Sequence, residues 1–410
     1  MKPRSIAAVL VVALLVALMP AGADATLRHP MWSRKTPGLM ASIAGTGRGA
    51  SVAAGTHLTG LAPPRAWSEL YVARYSANGR ELWHRTWRPT RRTSAVAYGP
   101  SVVLGPDGMV VTAGSVGARR RHCPGWFVRV YGQDGDLRWF RRQRCGTPNV
   151  DVRSVAVADH MIVVAANHVP FQSPSRHHYI DAFLLEFSLT GRLIRTFDIE
   201  PTDPAWNDSV EDVAVGPSGT IFVTGAADLG PWTTDDPEGP NSDPYVMAFT
   251  PTGSLRWETM LPDRGTLRLR NGLAIDLNAG VLGVVADVAA QTRLGGFAYR
   301  VLRFSTSGER SWARTVRAQL WPKWHVSWAD VAVAPSGAIS LVASHVHRPL
   351  LRTFRADGTV RWSALVGSGL PAPREYEQHG VDVTSAGVFV AGWLYGPDEA
   401  RYGRVFRYRP

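Results

Sequence analysis

A three-residue signature recurs along the chain at intervals of roughly 50 to 60 residues: an aromatic residue, Gly four positions on, and Trp four positions after that. It reads Tyr75, Gly79, Trp83; Tyr131, Gly135, Trp139; Phe187, Gly191, Arg195; Phe249, Gly253, Trp257; Phe304, Gly308, Trp312; and Phe354, Gly358, Trp362, with Arg195 standing in for Trp once. Gly makes up 40 of 410 residues, so its presence in all six instances is not a matter of composition. The segment before each Gly alternates apolar and polar, as in Tyr71 to Tyr75, and a second extended segment ends near the Trp. That is the pattern of a β-hairpin, with Gly supplying a positive φ in the turn.

Upstream of each hairpin lies a second pair of short apolar runs around a Pro-Ser-Gly turn, as in EDVAVGPSGTIFVTGAAD and ADVAVAPSGAISLVAS. Each unit is therefore a four-stranded meander, strands A to D. Strand B closes on a small-residue column, Gly55, Gly114, Ala166, Gly225, Ala286, Ala343 and Gly392, read here as the place where neighbouring sheets press together. A four-stranded sheet cannot bury two apolar faces alone, so such units stack around an axis. The expected fold is all-β, a seven-bladed β-propeller of four-stranded antiparallel blades.

The two ends of the chain support the count of seven. The last unit supplies strand A near Val381 to Val383, strand B near Val388 to Gly392 and strand C near Arg404 to Tyr408, but no strand D. Trp32 lies one repeat spacing before Trp83 with Arg28 where the turn Gly would be, which marks a strand D without its hairpin. Pairing residues near Leu27 to Lys35 with the last strand C would remove an open sheet edge at both ends and close the ring.

The pattern DVAVGPSGTIFVTG followed by DPYVMAFTPTGSLRW resembles the bacterial seven-bladed β-propeller repeat family of secreted and cell-surface proteins. The resemblance covers nearly all of the chain after residue 25, strongest in blades four and six. It is weaker in blade three, where Arg195 replaces Trp, and in blade five, where Leu277 and Asn278 replace the Pro-Ser of the turn. It implies a secreted ring-shaped scaffold and carries no shared catalytic residue.

Residues 1–25 have Lys2 and Arg4 at the start, an apolar run from Ile6 to Met19, and Ala23 and Ala25 at the end, the form of a secretory signal peptide. The run is short for a membrane span, so a single domain over 26–410 is expected outside the membrane, as a monomer with no transmembrane segment. Cys123 and Cys145 are the two cysteines; in an oxidising compartment they are expected to form one disulfide across the second blade's hairpin, each 11 residues from Asp134. The formal charge of +12 rests on Arg, with Lys only at positions 2, 35 and 323. Spread through every blade and without interleaved stacking aromatics, it does not indicate a nucleic-acid partner.

In such a meander the A–B and C–D turns share one end of the ring and the longer B–C and D–A loops share the other. Loops held by a rigid scaffold are where binding residues gather. The long loops carry Trp206, Trp232, Trp321, Trp324, Trp328 and Tyr376, with Trp393 past a strand end, and exposed Trp suits a carbohydrate, peptide or protein ligand. Rings folded down as lids over the blade edges would give the same sequence. A second candidate is a convergence of His325, His345, His347 and His379, which with Glu375, Glu377 or Asp398 would hold zinc or act as acid and base in a lyase or hydrolase. Loop histidines are more commonly just solvated, and no tight metal spacing is present, so neither a metal nor a cofactor is expected. Asp212 and Asp330 open strand A where other blades have Ser42, Ser101, Ser154, Gly272 and Gly380, and are read as having a structural-turn or channel-mouth role rather than as channel-lining ligands. The favoured function is a binding or scaffold module, with a propeller enzyme as the alternative.

Overall fold

The structure, a computed structural model, describes residues 29–59, 67–89, 100–116, 125–143, 149–169, 180–201, 207–228, 242–261, 267–290, 297–318, 329–343, 349–367, 375–395 and 401–410. The expected signal segment, Cys123 and Cys145 lie outside these residues. After β1 (Trp32–Thr36), the first blade is β2 (Leu39–Gly45), β3 (Ser51–Thr59), β4 (Trp67–Tyr75) and β5 (Glu81–Trp87). The second is β6 (Ser101–Leu104), β7 (Val110–Val116), β8 (Gly125–Tyr131) and β9 (Leu137–Arg142). The third is β10 (Asn149–Val157), β11 (Met161–Val169), β12 (Asp181–Ser188) and β13 (Leu193–Asp198). The fourth is β14 (Asn207–Val215), β15 (Ile221–Asp228), β16 (Ser242–Phe249) and β17 (Leu255–Met260). The fifth is β18 (Leu267–Asn278), β19 (Val281–Ala290), β20 (Phe297–Ser305) and β21 (Arg310–Ala318). The sixth is β22 (Ala329–Val333), β23 (Ile339–Ala343), β24 (Leu350–Phe354) and β25 (Val360–Leu365). The seventh is β26 (Glu375–Thr384), β27 (Gly387–Tyr395) and β28 (Arg401–Tyr408), completed by β1.

The first strands of successive blades touch one another all the way round, β2 to β6, β10, β14, β18, β22, β26 and back to β2, which places them around the axis. The ring closes as the ends of the sequence indicate: β1 runs antiparallel to β28 with Trp32 opposite Arg407 and Thr36 opposite Gly403. Closure satisfies the backbone groups that an open blade would leave at its edge. Between blades lie apolar layers such as Val163, Leu184, Val213 and Tyr245, or Val342, Leu351, Val390 and Phe406. Among the described residues no helix is long and apolar enough to cross a membrane.

The repeated Gly and Trp explain each other across the blade boundary. In five C–D turns the Gly has φ between +78° and +89° and sits under the Trp of the preceding blade: Gly79 under Trp32, Gly135 under Trp83, Gly191 under Trp139, Gly308 under Trp257 and Gly358 under Trp312. A Cβ there would lie 2.7–2.9 Å from indole carbon. Each indole N–H also donates to a carbonyl of that same turn, for example Trp83 Nε1 to Gln133 O at 2.9 Å and Trp139 Nε1 to Leu189 O at 2.7 Å. Two residues on, Arg34, Arg85, Arg141 and Arg314 donate through Nε to the carbonyl of the turn Gly. The Trp is thus a lock between blades as well as core. In blade three Arg195 does the same work differently, pairing with Glu186 at 2.5 Å and donating to Pro251 O of blade four, so register is kept.

Two readings need correction. The small column does not end strand B, since β3, β15 and β27 run several residues past it; nor is sheet spacing its first constraint. Gly55 and Gly225 face β-bulges in strand A, between Met40 and Ser42 and between Val210 and Asp212, and a Cβ there would overlap the carbonyl oxygen of Leu39 or Ser209. In blade five the A–B turn is not a variant Pro-Ser turn but a two-residue one, with Ala279 at φ +48° and Gly280 at +75°. A one-residue shift in the β8–β9 register at Val130/Tyr131 also means that positions equidistant from Asp134 are opposite each other only up to Tyr131 and Leu137.

Candidate functional site

The two ends of the ring are unlike. All A–B and C–D connections are two to five residues long. The B–C and D–A connections run from five to thirteen, apart from the two-residue link from β1 to β2. Most of the candidate ligand residues fall in the long connections and lie outside the described residues: Trp206, Trp232, Trp321, Trp324, Trp328, His325, His345 and His347. Tyr376 and His379 do not belong to a loop as expected. Strand β26 begins at Glu375, Tyr376 pairs with Leu394, and His379 sits in the bulge between Gln378 and Gly380. Trp393 is likewise within β27, opposite Glu377. Among the described residues no three His, Cys, Asp or Glu side chains form a group able to hold a metal.

Around the axis, polar side chains of strand A fasten each blade to the next. Asp212 accepts from its own neighbour Val213 N and from Ile275 N of blade five, both at 2.8 Å. Asp276 accepts from Leu277 N and from Val333 N of blade six at 2.6 Å. Asp330 accepts from Val331 N and from Val381 N of blade seven at 2.7 Å, and Asp382 from Val383 N and from Gly45 N of blade one at 2.5 Å. Ser42 Oγ and Ser101 Oγ take the corresponding amides, Val102 N and Val155 N. Asp212 and Asp330 are therefore structural, as read from sequence. Ala274, not Gly272, is their counterpart in blade five, because it pairs with Val285 as Asp212 pairs with Thr224. Asp276 and Asp382, two residues further along the same strand face, were missed.

Burial pushes Asp212 up to about 6 and Asp276 up to about 7, the latter helped by the nearby charge of Asp382. Asp330 is held well above the usual carboxylate range by burial and then by Asp212. With two amide donors on each carboxylate, the ring is already occupied by its own backbone.

Towards the long-loop end of the same strands, Arg153 bridges Asp151 at 3.2 Å and Glu211 of the next blade. Ser115 Oγ donates to Asp151 at 3.0 Å and accepts from Val152 N at 2.7 Å. Burial opposes the Arg153 charge, and Glu211 and Asp151 more than offset it, leaving its pKa raised. This triad sets one guanidinium between two carboxylates and joins blades three and four.

A different arrangement occupies the junction of blades one and two. Arg129 is 9 % exposed, with its guanidinium 4.8 Å from the ring of Trp87, 5.0 Å from Phe140 and 5.5 Å from Tyr131. Its Nε donates to the Tyr131 hydroxyl at 2.8 Å. Arg142 lies 6.0 Å from the same Phe140 ring and reaches Pro89 O. No acidic side chain among the described residues pairs with either arginine.

These features define the class: a closed seven-bladed β-propeller with one elaborated end. No family model and no curated protein matches the chain. Among solved structures, it is similar to a protein of unknown function from Dyadobacter fermentans, at TM-score 0.51 and 11% identity over 78% of this chain and 96% of that one. It is also similar to the β-propeller domain of the Trilobed protease from Pyrococcus furiosus, at TM-score 0.47 and 9% identity over 92% and 94% of the two chains. A third is a Trypanosoma rangeli sialidase mutant, at TM-score 0.46 and 10% identity over 94% of this chain and 60% of that one.

Proposed function

We propose that this chain is a binding module of the cell exterior that holds an extracellular carbohydrate, peptide or protein at the long-loop end of its ring and does not turn it over. The observation that carries this reading is the asymmetry of the ring ends: short repeated turns at one, and every long connection, with the loop tryptophans, at the other. The exterior placement rests on the signal-like residues 1–25, where the single Cys123–Cys145 disulfide would also be at home. The described polar clusters near the axis support binding over catalysis, since the aspartate ring and the Arg153 triad are spent on blade-to-blade contacts.

The test is an array of glycans and peptides probed with the protein and with Trp206→Ala, Trp321→Ala and Trp324→Ala. At least one variant is expected to lose tenfold or more in affinity for whatever the protein retains, as for a buried aromatic anchor. Retention unchanged in all three, together with stoichiometric zinc that disappears in a His345→Ala/His347→Ala double variant, would replace this reading with the enzyme one.

A further inference from the structure

We propose that the outer edge of blade five is a docking strand for an extended acidic peptide, which pairs with β21 through main-chain hydrogen bonds and sets its carboxylates against Arg300, Arg314 and Arg317. This goes beyond the long-loop reading, since it is a second surface, on the rim of the ring. Strand β21 is the last of its sheet, with β20 on one side and no strand of the described residues on the other. At nine residues it is the longest fourth strand of the ring, against five to seven in the other blades. Beyond its bulge it pairs with β20 residue for residue from Trp312 to Ala318.

Which backbone groups of β21 face outward follows from the alternation of an antiparallel ladder. In blades three, four and six the residue four beyond the Trp position, Ile199, Leu261 or Val366, donates its amide inward, to Ala182, Pro244 and Pro349 respectively. Val316 is the counterpart in blade five. Trp312, Arg314 and Val316 therefore bond to β20, and Ala313, Thr315 and Arg317 turn their N–H and C=O outward. Of these, the Ala313 carbonyl is taken by Arg314 Nη1 at 3.0 Å. Thr315 and Arg317 remain, about 6.8 Å apart, the repeat at which an added strand meets an edge. A peptide backbone supplies donors and acceptors at that same repeat, which a polysaccharide or a nucleic acid does not.

The side chains along that edge select an acidic partner. Arg310, Arg314, Thr315 and Arg317 are exposed, while Trp312 and Val316 between them are buried. Arg300, opposite Thr315 in β20, donates to its hydroxyl at 2.7 Å and shares a sheet face with Arg317. Burial lowers the Arg300 pKa, and the charges of Arg310 and Arg314 lower it further, so these cations crowd one another. Among the described residues no carboxylate is ion-paired with Arg300, Arg310, Arg314 or Arg317. Glu309 and, in the next blade, Asp357 stand in C–D turns, at the other end of the strand from Arg317, and Asp357 already accepts from Thr359. Charged side chains on an edge ordinarily keep a second copy of the same strand away. Strand β21 carries only positive charge, so the edge that refuses its own kind admits a strand of carboxylates. Alternate residues of an added strand point to opposite faces, and a carboxylate on either face meets a guanidinium: Arg300 and Arg317 on one, Arg314 on the other.

The experiment is fluorescence anisotropy of a labelled, end-capped eight-residue peptide of alternating Glu and Thr, titrated with the full chain at low salt. Beside it run the same peptide N-methylated at every residue, a peptide of alternating Lys and Thr, and polygalacturonate as an unlabelled competitor at equal charge. The variants are Thr315→Val, Thr315→Pro and Arg317→Glu. Pro at an outward edge position removes a free N–H and no ladder bond, and a thermal melt of each variant checks that the ring is intact. Thr315→Val is expected to bind the acidic peptide as wild type does, and Thr315→Pro and Arg317→Glu to bind it tenfold or more weakly. The N-methylated and Lys peptides are expected not to bind. If Thr315→Pro melts early, the N-methylated peptide makes the same test on the wild-type protein. Binding of that analogue as tight as its parent's, or displacement of the parent by polygalacturonate, would reduce the edge to a patch of charge and overturn the added strand. No binding of the acidic peptide by wild type, or equal binding by wild type and Arg317→Glu, would overturn the site, and the long-loop reading would stand in either case.

Discussion

At the scale of single residues, the turn glycines carry two demands at once, and the structure separates them. Gly135 has φ +87° and Trp83 carbon 2.7 Å from where a Cβ would be; Gly280 has φ +75° and nothing within 4 Å. Replacing Gly280 with Ala is expected to cost roughly 1–2 kcal/mol for the left-handed backbone alone. Gly135→Ala is expected to cost a further 1–3 kcal/mol or so for displacing the indole. Urea denaturation of the two variants measures the difference; equal losses would mean that the Trp does not lock the neighbouring turn. The periodic Gly and Trp were legible because both jobs recur in five of the six complete hairpins. Their contact was not, because the partners lie about 50 residues apart, in different blades, and no spacing within one repeat reveals which neighbour a side chain meets.

At the scale of strands, the bulge in strand A turns a polar residue towards the next blade, and that device was only half legible. Asp212 and Asp330 stood out because they open the recognisable DVAV motif, whereas Asp276 and Asp382 carry the same load two positions later, where side chains again point to the same face. These carboxylates are held neutral further up the pH scale than free aspartates. Their native pKa values lie above the unfolded value near 4, so the folded chain binds more protons than the unfolded one between about pH 4 and pH 7. The stability they contribute is complete below about pH 4 and is lost as pH rises through 6 to 7. In urea midpoints measured from pH 4.5 to 7.5, wild type is therefore expected to lose stability relative to Asp276→Asn as pH rises. A wild type that gains on the variant with pH would show an ordinary ion-paired acid instead. The extended start of β26, which draws Tyr376 and His379 out of the loop, escaped notice because EYEQHG lacks the apolar alternation of a half-buried strand.

At the scale of the whole molecule, repeats that each contact only their neighbours become one rigid object when the ends are tied. The seven blades and their order were readable from the period, and the closure from what each end of the chain lacked. The candidate site was less legible than the fold, because loop aromatics and histidines follow no repeat, and a carboxylate spent on an amide of the next blade shows itself only when its neighbours are known. Everything proposed for the long-loop end presumes that the ring is shut. Hydrogen exchange of Trp32 to Thr36, followed by mass spectrometry, tests this most directly. The closed ring predicts that the alternate amides of this edge strand that bond to β28 exchange as slowly as those of β28, while exchange of all of them within seconds, with β28 unprotected on its outer side, would show an open seventh blade and contradict it.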